Sequence, residues 1–327
     1  ISLARSLGLE VIVIDHHRIP LQGLPPASVV LNPQQTDCPY PFKELSAGGL
    51  AFKLSQALIG GQAFEFLDLA TLSTVCDLAP LQKENRIIVK KGLELLSSRR
   101  SLGIRSLIQA ASLRAAQINT GHVGFVLGPR INAAGRMSSP EIALRLLLTE
   151  NSREANSLAS VLEEENKARR KEERQVTQEA IEEAERVVNF NRDRVIVVGR
   201  PGWHVGVIGI VASRLVEKYH RPSVVIAFEK GTGKGSGRSI RNFNLFQALE
   251  SCRDLFEEFG GHEQAAGLAL REENLSLFRS RINAYAKDLD PEIFMRKITP
   301  DLEVKLEDLN LNFIRELELL EPYGVGN

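Results

Sequence analysis

Apolar residues along the chain form short continuous runs that alternate with longer segments of helical spacing. The first run, residues 11–14, consists of four apolar β-branched residues and predicts a strand buried on both faces, because a half-exposed strand would alternate with polar residues. A second strand is predicted at 29–33, and helices are predicted at 46–59, 63–77 and 84–118. This alternation indicates an α/β fold with a parallel sheet in the first half.

The middle of the chain predicts a long helix. Neither Pro nor Gly occurs between residues 141 and 188, and a thin apolar stripe flanks a mixed-charge centre, as in a solvent-bridging connector between domains. Apolar runs at 194–199 and 223–227 predict two more strands with a helix between them, and helices are predicted at 243–259 and 271–290. The predicted fold class is α/β, with two α/β domains joined by a long helix.

The composition limits the class of protein but does not indicate a function. The 327 residues are 43% hydrophobic and 25% charged with a formal net charge of zero, as in an ordinary soluble globular protein of about two domains. Any contact with a polyanion must then come from local clusters of Arg and Lys. The three scattered cysteines favour a reducing compartment, and neither a long apolar segment nor a signal peptide is present. We expect a soluble, cytoplasmic protein without membrane contacts.

Candidate metal ligands follow the first apolar run directly. Asp15, His16 and His17 lie where the carboxyl end of a parallel strand is expected, the edge at which such sheets collect functional groups. Their mixed oxygen and nitrogen atoms suit Mn²⁺ or Mg²⁺. The alternative is an Asp that caps the next helix beside two surface histidines. Asp77, just before the Pro80 exit from an apolar element, is a second candidate ligand, or else an ordinary helix-terminus carboxylate.

Candidate anion-binding residues occur in three further stretches. Arg130 and Arg136 bracket small residues that would let a phosphate approach, although a tight turn with two solvated arginines is the alternative. The Gly-rich run 230–239 could bind an anion through backbone N–H groups, Ser236 and Arg238, or could be a hairpin turn. The third stretch reads as a helix start that offers free N–H groups, or as a simple cap, and consists of Gly260, Gly261 and His262.

Taken in chain order, these motifs resemble the DHH superfamily of phosphoesterases and, within it, the RecJ family of bacterial exonucleases specific for single-stranded DNA. The resemblance covers nearly the whole chain. The Asp-His-His motif is typical of the superfamily, whereas the segments 132–137 and 203–214 resemble the RecJ family in particular. The other matching segments are 74–81, 235–239, 260–262 and 321–327.

The resemblance implies two divalent metal ions, Mn²⁺ or Mg²⁺, with His16 and Asp77 among the ligands. Asp15 and His17 would orient ligands and contact the scissile phosphate, and Arg136 would reach the same phosphate. The remaining family residues would bind nucleic acid in the second domain, with Ser236 and Arg238 in a pocket for a 5′-terminal phosphate and with Gly260, Gly261 and His262 in a binding signature.

The resemblance also implies a domain organisation. Residues 1–149 would form the DHH catalytic domain, 150–190 a connecting helix, 191–290 the DHH-associated nucleic-acid-binding domain, and 291–327 the start of an OB-type domain. The two α/β domains would face each other across a groove. The implied function is 5′-to-3′ hydrolysis of single-stranded DNA in repair and recombination, by a monomer with single-strand-binding protein and a helicase as partners.

Relatives of this kind carry further carboxylates on an earlier strand, so we expect a chain truncated at both ends whose metal site is incomplete. Two alternatives remain open. One is a phosphodiesterase of the same superfamily that cleaves nanoRNA, cyclic dinucleotides or bisphosphates. The other is a catalytically silent module that only binds single strands.

Overall fold

The computed structural model describes residues 1–19 and 23–327, which form two compact units. The first unit comprises Ile1–Gly135, Ser139–Glu164 and Glu303–Asn327, and the second comprises Arg136–Ser138 and Glu165–Leu302. The C-terminal segment therefore belongs to the first unit. The domain limits 1–149, 150–190, 191–290 and 291–327, including an OB-type domain, stay a prediction.

A two-stranded parallel sheet opens the first unit. Strand β1 (Ile12–Ile14) pairs with β2 (Val29–Leu31), with Ile12 opposite Val29. The predicted burial of β1 on both faces is wrong, because Ile12 is 63% exposed and Ile14 37% exposed. Among the described residues only these two strands pair in this sheet, so few neighbours cover its faces. The apolar run specified a strand, but burial also requires packed layers.

Helices make up most of the first unit. Gly92 lies inside a helix, and a Cβ there would come within 1.9 Å of Thr71 Oγ1. The glycine thus permits close packing of two helices, Leu67–Cys76 and Lys83–Ser98. Leu96, Leu107, Leu127 and Leu146 are fully buried in the core of this unit. The helices are α1 (Ser2–Ser6), α2 (Ala47–Ile59), α3 (Leu67–Cys76), α4 (Lys83–Ser98), α5 (Leu102–Ala110), α6 (Thr120–His122), a π-helix (Val123–Leu127), α7 (Gly128–Met137) and α8 (Glu141–Leu148).

The predicted long helix is α9 (Ser152–Val187), whose 36 residues begin in the first unit and end in the second. None of the helices in the described residues is long and apolar enough to cross a membrane.

The second unit is built on a five-stranded mixed sheet. Strands β3 (Ile196–Pro201) and β4 (Ser223–Glu229) are parallel and are joined by α10 (Val205–Tyr219), while the remaining pairs are antiparallel. The remaining strands are β5 (Thr232–Arg238), β6 (Phe256–Gly261) and β7 (Ala265–Arg271), and the helices are α11 (Leu245–Glu250) and α12 (Leu275–Lys287). The strand order is β3-β4-β5-β7-β6.

The helix predicted at 243–259 is wrong in its second half. Helix α11 ends at Glu250, and β6 begins at Phe256. The register of β6 against β7 shifts between Phe256 and Glu258, and the extra residue of this bulge lets Phe256 and Phe259 pack on the same core. Two apolar residues three positions apart resemble a helix face in sequence, but here a bulged strand produces the same spacing.

A buried carboxylate lies in the segment between α9 and β3. Asp193 is 5% exposed, and it accepts hydrogen bonds from Arg192 Nε at 2.9 Å and from the Asn189 amide at 2.9 Å. Burial alone would raise the pKa of Asp193, but these hydrogen bonds, together with the charges of Arg192 and Arg221, lower it below the ordinary value of 3.8. A carboxyl group with a lowered pKa stabilises the folded state above its unfolded pKa and loses that effect as the pH falls through its folded pKa.

We therefore expect Asp193→Asn to lower the free energy of unfolding by about 1–3 kcal/mol at pH 7, as for a lost hydrogen bond to a charged group. The difference should shrink as the pH falls below about 4, where the wild-type carboxyl also becomes neutral. Urea unfolding of both proteins between pH 7 and pH 3 measures it. A difference that is independent of pH would contradict this role of the charge.

Candidate metal centre and anion pocket

The Asp-His-His motif forms a tight turn at the carboxyl end of β1. The Asp15 amide donates to Leu31 O at 3.0 Å, which continues the strand pairing by one residue. Asp15 Oδ1 then accepts three hydrogen bonds, from the His16 amide at 2.8 Å, from the His17 amide at 3.2 Å and from His17 Nδ1 at 2.7 Å. The carboxylate thereby fixes both the backbone of the turn and the orientation of the His17 ring.

These hydrogen bonds also keep Asp15 charged. Burial alone would raise the pKa of Asp15, but the bonds from the His17 ring and from the two amides outweigh it and lower the pKa below the ordinary value. An ionised carboxylate is the form that a metal ion requires of a ligand or of a group that orients one.

Asp77 approaches the same turn from the end of α3. It follows Cys76 as the C-terminal cap of the helix, and its Oδ2 lies 3.5 Å from His16 Nδ1. One nitrogen or oxygen atom from each of Asp15, His16 and His17 lies within 4.8 Å of the others. Two imidazoles and two carboxylates thus lie together, and this set of nitrogen and oxygen atoms fits Mn²⁺ or Mg²⁺.

Asn32 supports the turn and was not singled out by sequence reasoning. Its Nδ2 donates to His17 O at 2.9 Å, its Oδ1 accepts from the Gln34 amide, and its side chain is almost fully buried. Its position directly after β2 was the available signal, because polar residues at the ends of parallel strands tend to serve a site.

Arg130 lies inside the first unit. Its Nε donates to Glu163 Oε2 at 2.6 Å, its Nη1 donates to Val126 O at 2.7 Å, and the residue is 8% exposed. The segment that reads as a tight turn is the helix α7. In this structure Arg130 joins α7 to α9 as a buried ion pair, so the proposal that it binds nucleic acid receives no support from its contacts.

Arg136, Ser236 and Arg238 come together in the second unit. They line a cavity of about 590 Å³, together with Gly206 and Gly209 of α10. Arg136 Nη1 donates to Gly206 O at 3.2 Å, and Arg238 Nη1 donates to Ser236 Oγ at 3.1 Å. Burial lowers the pKa of both guanidinium groups. The positive charge of Arg136 lowers the pKa of Arg238 further, and the positive charge of Arg169 lowers the pKa of Arg136 further. Such mutual repulsion favours an anion between them.

The first turn of α10 adds to this pocket. The His204 side chain caps the helix by accepting from the Gly206 amide at 3.0 Å, and Val205, Gly206, Ile208 and Gly209 all line the cavity. A helix N-terminus carries partial positive charge and favours anions.

The Gly-rich run is a strand rather than a loop. In β5 the alternate residues Gly233, Gly235 and Gly237 are buried, and a Cβ on any of them would come within 2.5–2.8 Å of a neighbouring side chain. The glycines therefore allow the sheet core to pack, while Ser236 and Arg238 project to the cavity side. Of this stretch only Lys230 and Gly231 form a turn, between β4 and β5, and the predicted binding of an anion by Ser236 and Arg238 stays a prediction.

The segment of Gly260, Gly261 and His262 lies at the turn between β6 and β7. The prediction of a helix start is wrong, because the His262 amide donates to Ala265 O at 2.9 Å within a hairpin, and the φ of 141° at Gly261 suits this turn. Gly260 lines the cavity that contains Arg136 and Arg238. Neither Gly261 nor His262 lines this cavity, and their binding role stays a prediction.

Comparison with known proteins agrees with this geometry. The N-terminal domain of the DHH family matches residues 1–75, and the DHHA1 domain matches residues 192–288. A crystal structure of the exonuclease RecJ bound to manganese is 35% identical, covers 88% of this chain and 72% of its own, and has a TM-score of 0.70. The chain belongs to the RecJ family.

Other RecJ proteins match over the whole chain but extend beyond it. The RecJ of Bacillus subtilis, named a single-stranded-DNA-specific exonuclease, is 44% identical over 100% of this chain and 42% of its own length. The crystal structure of RecJ with Mn²⁺ from Thermus thermophilus has a TM-score of 0.86 at 36% identity, covering 100% of this chain and 49% of that one. The chain thus spans about half the length of these relatives. The same Thermus protein is also known with Mg²⁺.

We expect Arg238→Ala to weaken the binding of inorganic phosphate by about tenfold or more, because it removes a charge-assisted donor from the cavity. Isothermal titration with phosphate at pH 7 measures the dissociation constant. Arg271→Ala, which removes an exposed arginine from the neighbouring strand β7, is the matched control. Equal affinities of the two variants would contradict the assignment of an anion pocket.

Proposed function

We propose that this chain carries the hydrolytic centre of a metal-dependent exonuclease, which degrades single-stranded DNA from the 5′ end in DNA repair and recombination. The observation that supports it most is the grouping of Asp15, His16 and His17 beside Asp77. Membership of the RecJ family supports the choice of single-stranded DNA, since its curated relatives are named for that specificity.

In this proposal His16 and Asp77 hold a divalent metal ion, and Asp15 orients the site. A bound ion of this kind supplies an activated water and neutralises charge on the phosphate. Asp15 Oδ1 accepts a hydrogen bond from His17 Nδ1, which fixes the ring and leaves Nε2 for a second contact. The His17 side chain is 76% exposed, and when Nε2 also carries a proton it donates to an oxygen of the phosphodiester.

The pocket of the second unit would bind the terminal 5′-phosphate. Arg136, Lys234 and Arg238 contribute three positive charges to its lining and Glu258 one negative charge, which leaves an excess of two positive charges. Ser236 and the first turn of α10 add neutral donors. A doubly charged terminal phosphate matches this excess better than an internal phosphodiester does, which favours a strand end as the ligand.

We further propose a monomeric enzyme of the cytoplasm that meets single-strand-binding protein and a helicase on its substrate. Free cysteines support a reducing compartment, and all three are unpaired in the structure.

The test is nuclease activity with Mn²⁺ on a 5′-phosphorylated single strand labelled at its 3′ end. We expect shortening from the 5′ end, a loss of at least about 100-fold in His16→Ala and Asp77→Asn, and about 10- to 100-fold in Asp15→Asn, as for a group that orients metal ligands. Asp37→Asn, a change at an exposed carboxylate, should retain activity.

The same substitutions at the aligned positions of the Bacillus subtilis relative form the second arm. Full activity of that relative without the aligned histidine would contradict the metal centre. Cleavage of dinucleotides but not of long strands would favour the small-substrate phosphodiesterase. Strand binding without any cleavage, under conditions in which the relative is active, would contradict a complete hydrolytic centre in this chain and would agree with the expected incomplete metal site or with the silent binding module.

A further inference from the structure

Asp77 is the proposed metal ligand that comes from outside the Asp-His-His turn, and its position depends on how α3 ends. The Leu78 amide donates to Val75 O at 3.2 Å, and the Ala79 amide donates to Thr74 O at 3.1 Å. Leu78 has a φ of 56°, in the left-handed region that is strained for a residue with a Cβ. Such a turn persists only when its surroundings hold it in place.

The surroundings are supplied from the far end of the chain. The Leu81 amide donates to Val325 O at 2.7 Å, and Gln82 Nε2 donates to Gly326 O at 2.8 Å. Thr120 Oγ1 donates to Tyr323 O at 2.7 Å. The residues that follow Asp77 are therefore attached to a segment almost 250 positions away in sequence.

Arg86 fixes that segment from α4. Its Nη1 donates to Leu320 O at 2.6 Å, and its Nη2 donates to Leu319 O at 3.2 Å and to Glu321 O at 2.9 Å. One planar guanidinium thus holds three consecutive carbonyl groups, a geometry that Lys cannot reproduce.

Gly324 brings the segment against Leu81. A Cβ on Gly324 would lie 2.5 Å from Leu81 Cδ1 and 2.8 Å from Leu81 Cγ, and Leu81 itself is almost fully buried. Any larger residue would displace Leu81, which lies four positions after Asp77.

We propose that residues 319–327 act as a brace for the turn 77–81, and that Arg86 and Gly324 are positioning residues for the Asp77 carboxylate. This inference rests on the proposed function, because it takes Asp77 to be a metal ligand. The brace lies within the first unit, so it can hold Asp77 at 3.5 Å from His16 independently of the second unit.

The test measures amide hydrogen exchange and Mn²⁺ affinity in the 327-residue chain. In Arg86→Ala and Gly324→Ala we expect the Leu78, Ala79 and Leu81 amides to exchange about five- to tenfold faster, while amides of β4 remain unchanged. The Mn²⁺ dissociation constant, from the electron paramagnetic resonance of free Mn²⁺, should rise about tenfold. Arg86→Lys should fall between Arg86→Ala and wild type.

Two variants control for nonspecific effects. Gly61→Ala places a methyl group in open space, and Lys90→Ala removes an exposed cation one turn along α4 from Arg86. Both should match wild type in exchange and in Mn²⁺ affinity.

The outcomes separate the inference from the proposed function. Unchanged exchange at residues 78–81, or faster exchange with unchanged His16-dependent Mn²⁺ affinity, would overturn the brace and leave the metal centre intact. Mn²⁺ binding that His16→Ala does not weaken in the wild-type background would instead contradict the metal centre, and the positioning role would fall with it.

Discussion

The three hydrogen bonds that converge on Asp15 Oδ1 set the geometry on which the rest of the site depends. They bind two backbone amides and one imidazole to a single oxygen, so the turn after β1 has little freedom to rearrange. His16 is thereby directed toward Asp77, and the His17 ring is presented to solvent. A carboxylate used in this way stays ionised, since the donors outweigh the effect of burial on its pKa.

The second unit holds two guanidinium groups, those of Arg136 and Arg238, partly out of water. Arg238 lies where α10 packs closely against β5, and this packing is tight at Gly209, where a Cβ would lie 3.0 Å from Ser236 Oγ and 3.1 Å from Arg238 Nη2. Arg136 contacts the same helix through Gly206 O. The glycines of β5 allow close packing in the core, while the residues that alternate with them, Lys234, Ser236 and Arg238, line the cavity. One short sequence thus meets two requirements through the alternation of a strand.

Sequence reasoning located the candidate metal ligands where they directly follow an element. Asp15, His16 and Asp77 lie at such ends, and the structure brings them together, while their roles stay a prediction. The predictions were wrong where tertiary packing determines the structure. The spacing of apolar residues in the bulged strand β6 resembles a helix face, and the apolar residues of β1 are partly exposed. The sequence could not show that Arg130 forms an ion pair rather than binding phosphate, because its partner Glu163 lies on another helix. The brace of Asp77 joins residues too distant in sequence for any local pattern to reveal.

We propose that Asp15, His16, His17 and Asp77 form one divalent-metal centre. Anomalous diffraction at the manganese edge, from crystals of this chain soaked in Mn²⁺, locates the bound ion. We expect a peak within about 2.2 Å of a His16 ring nitrogen and of an Asp77 oxygen. Peaks confined to other carboxylates, with His16 and Asp77 unliganded at a saturating Mn²⁺ concentration, would contradict it.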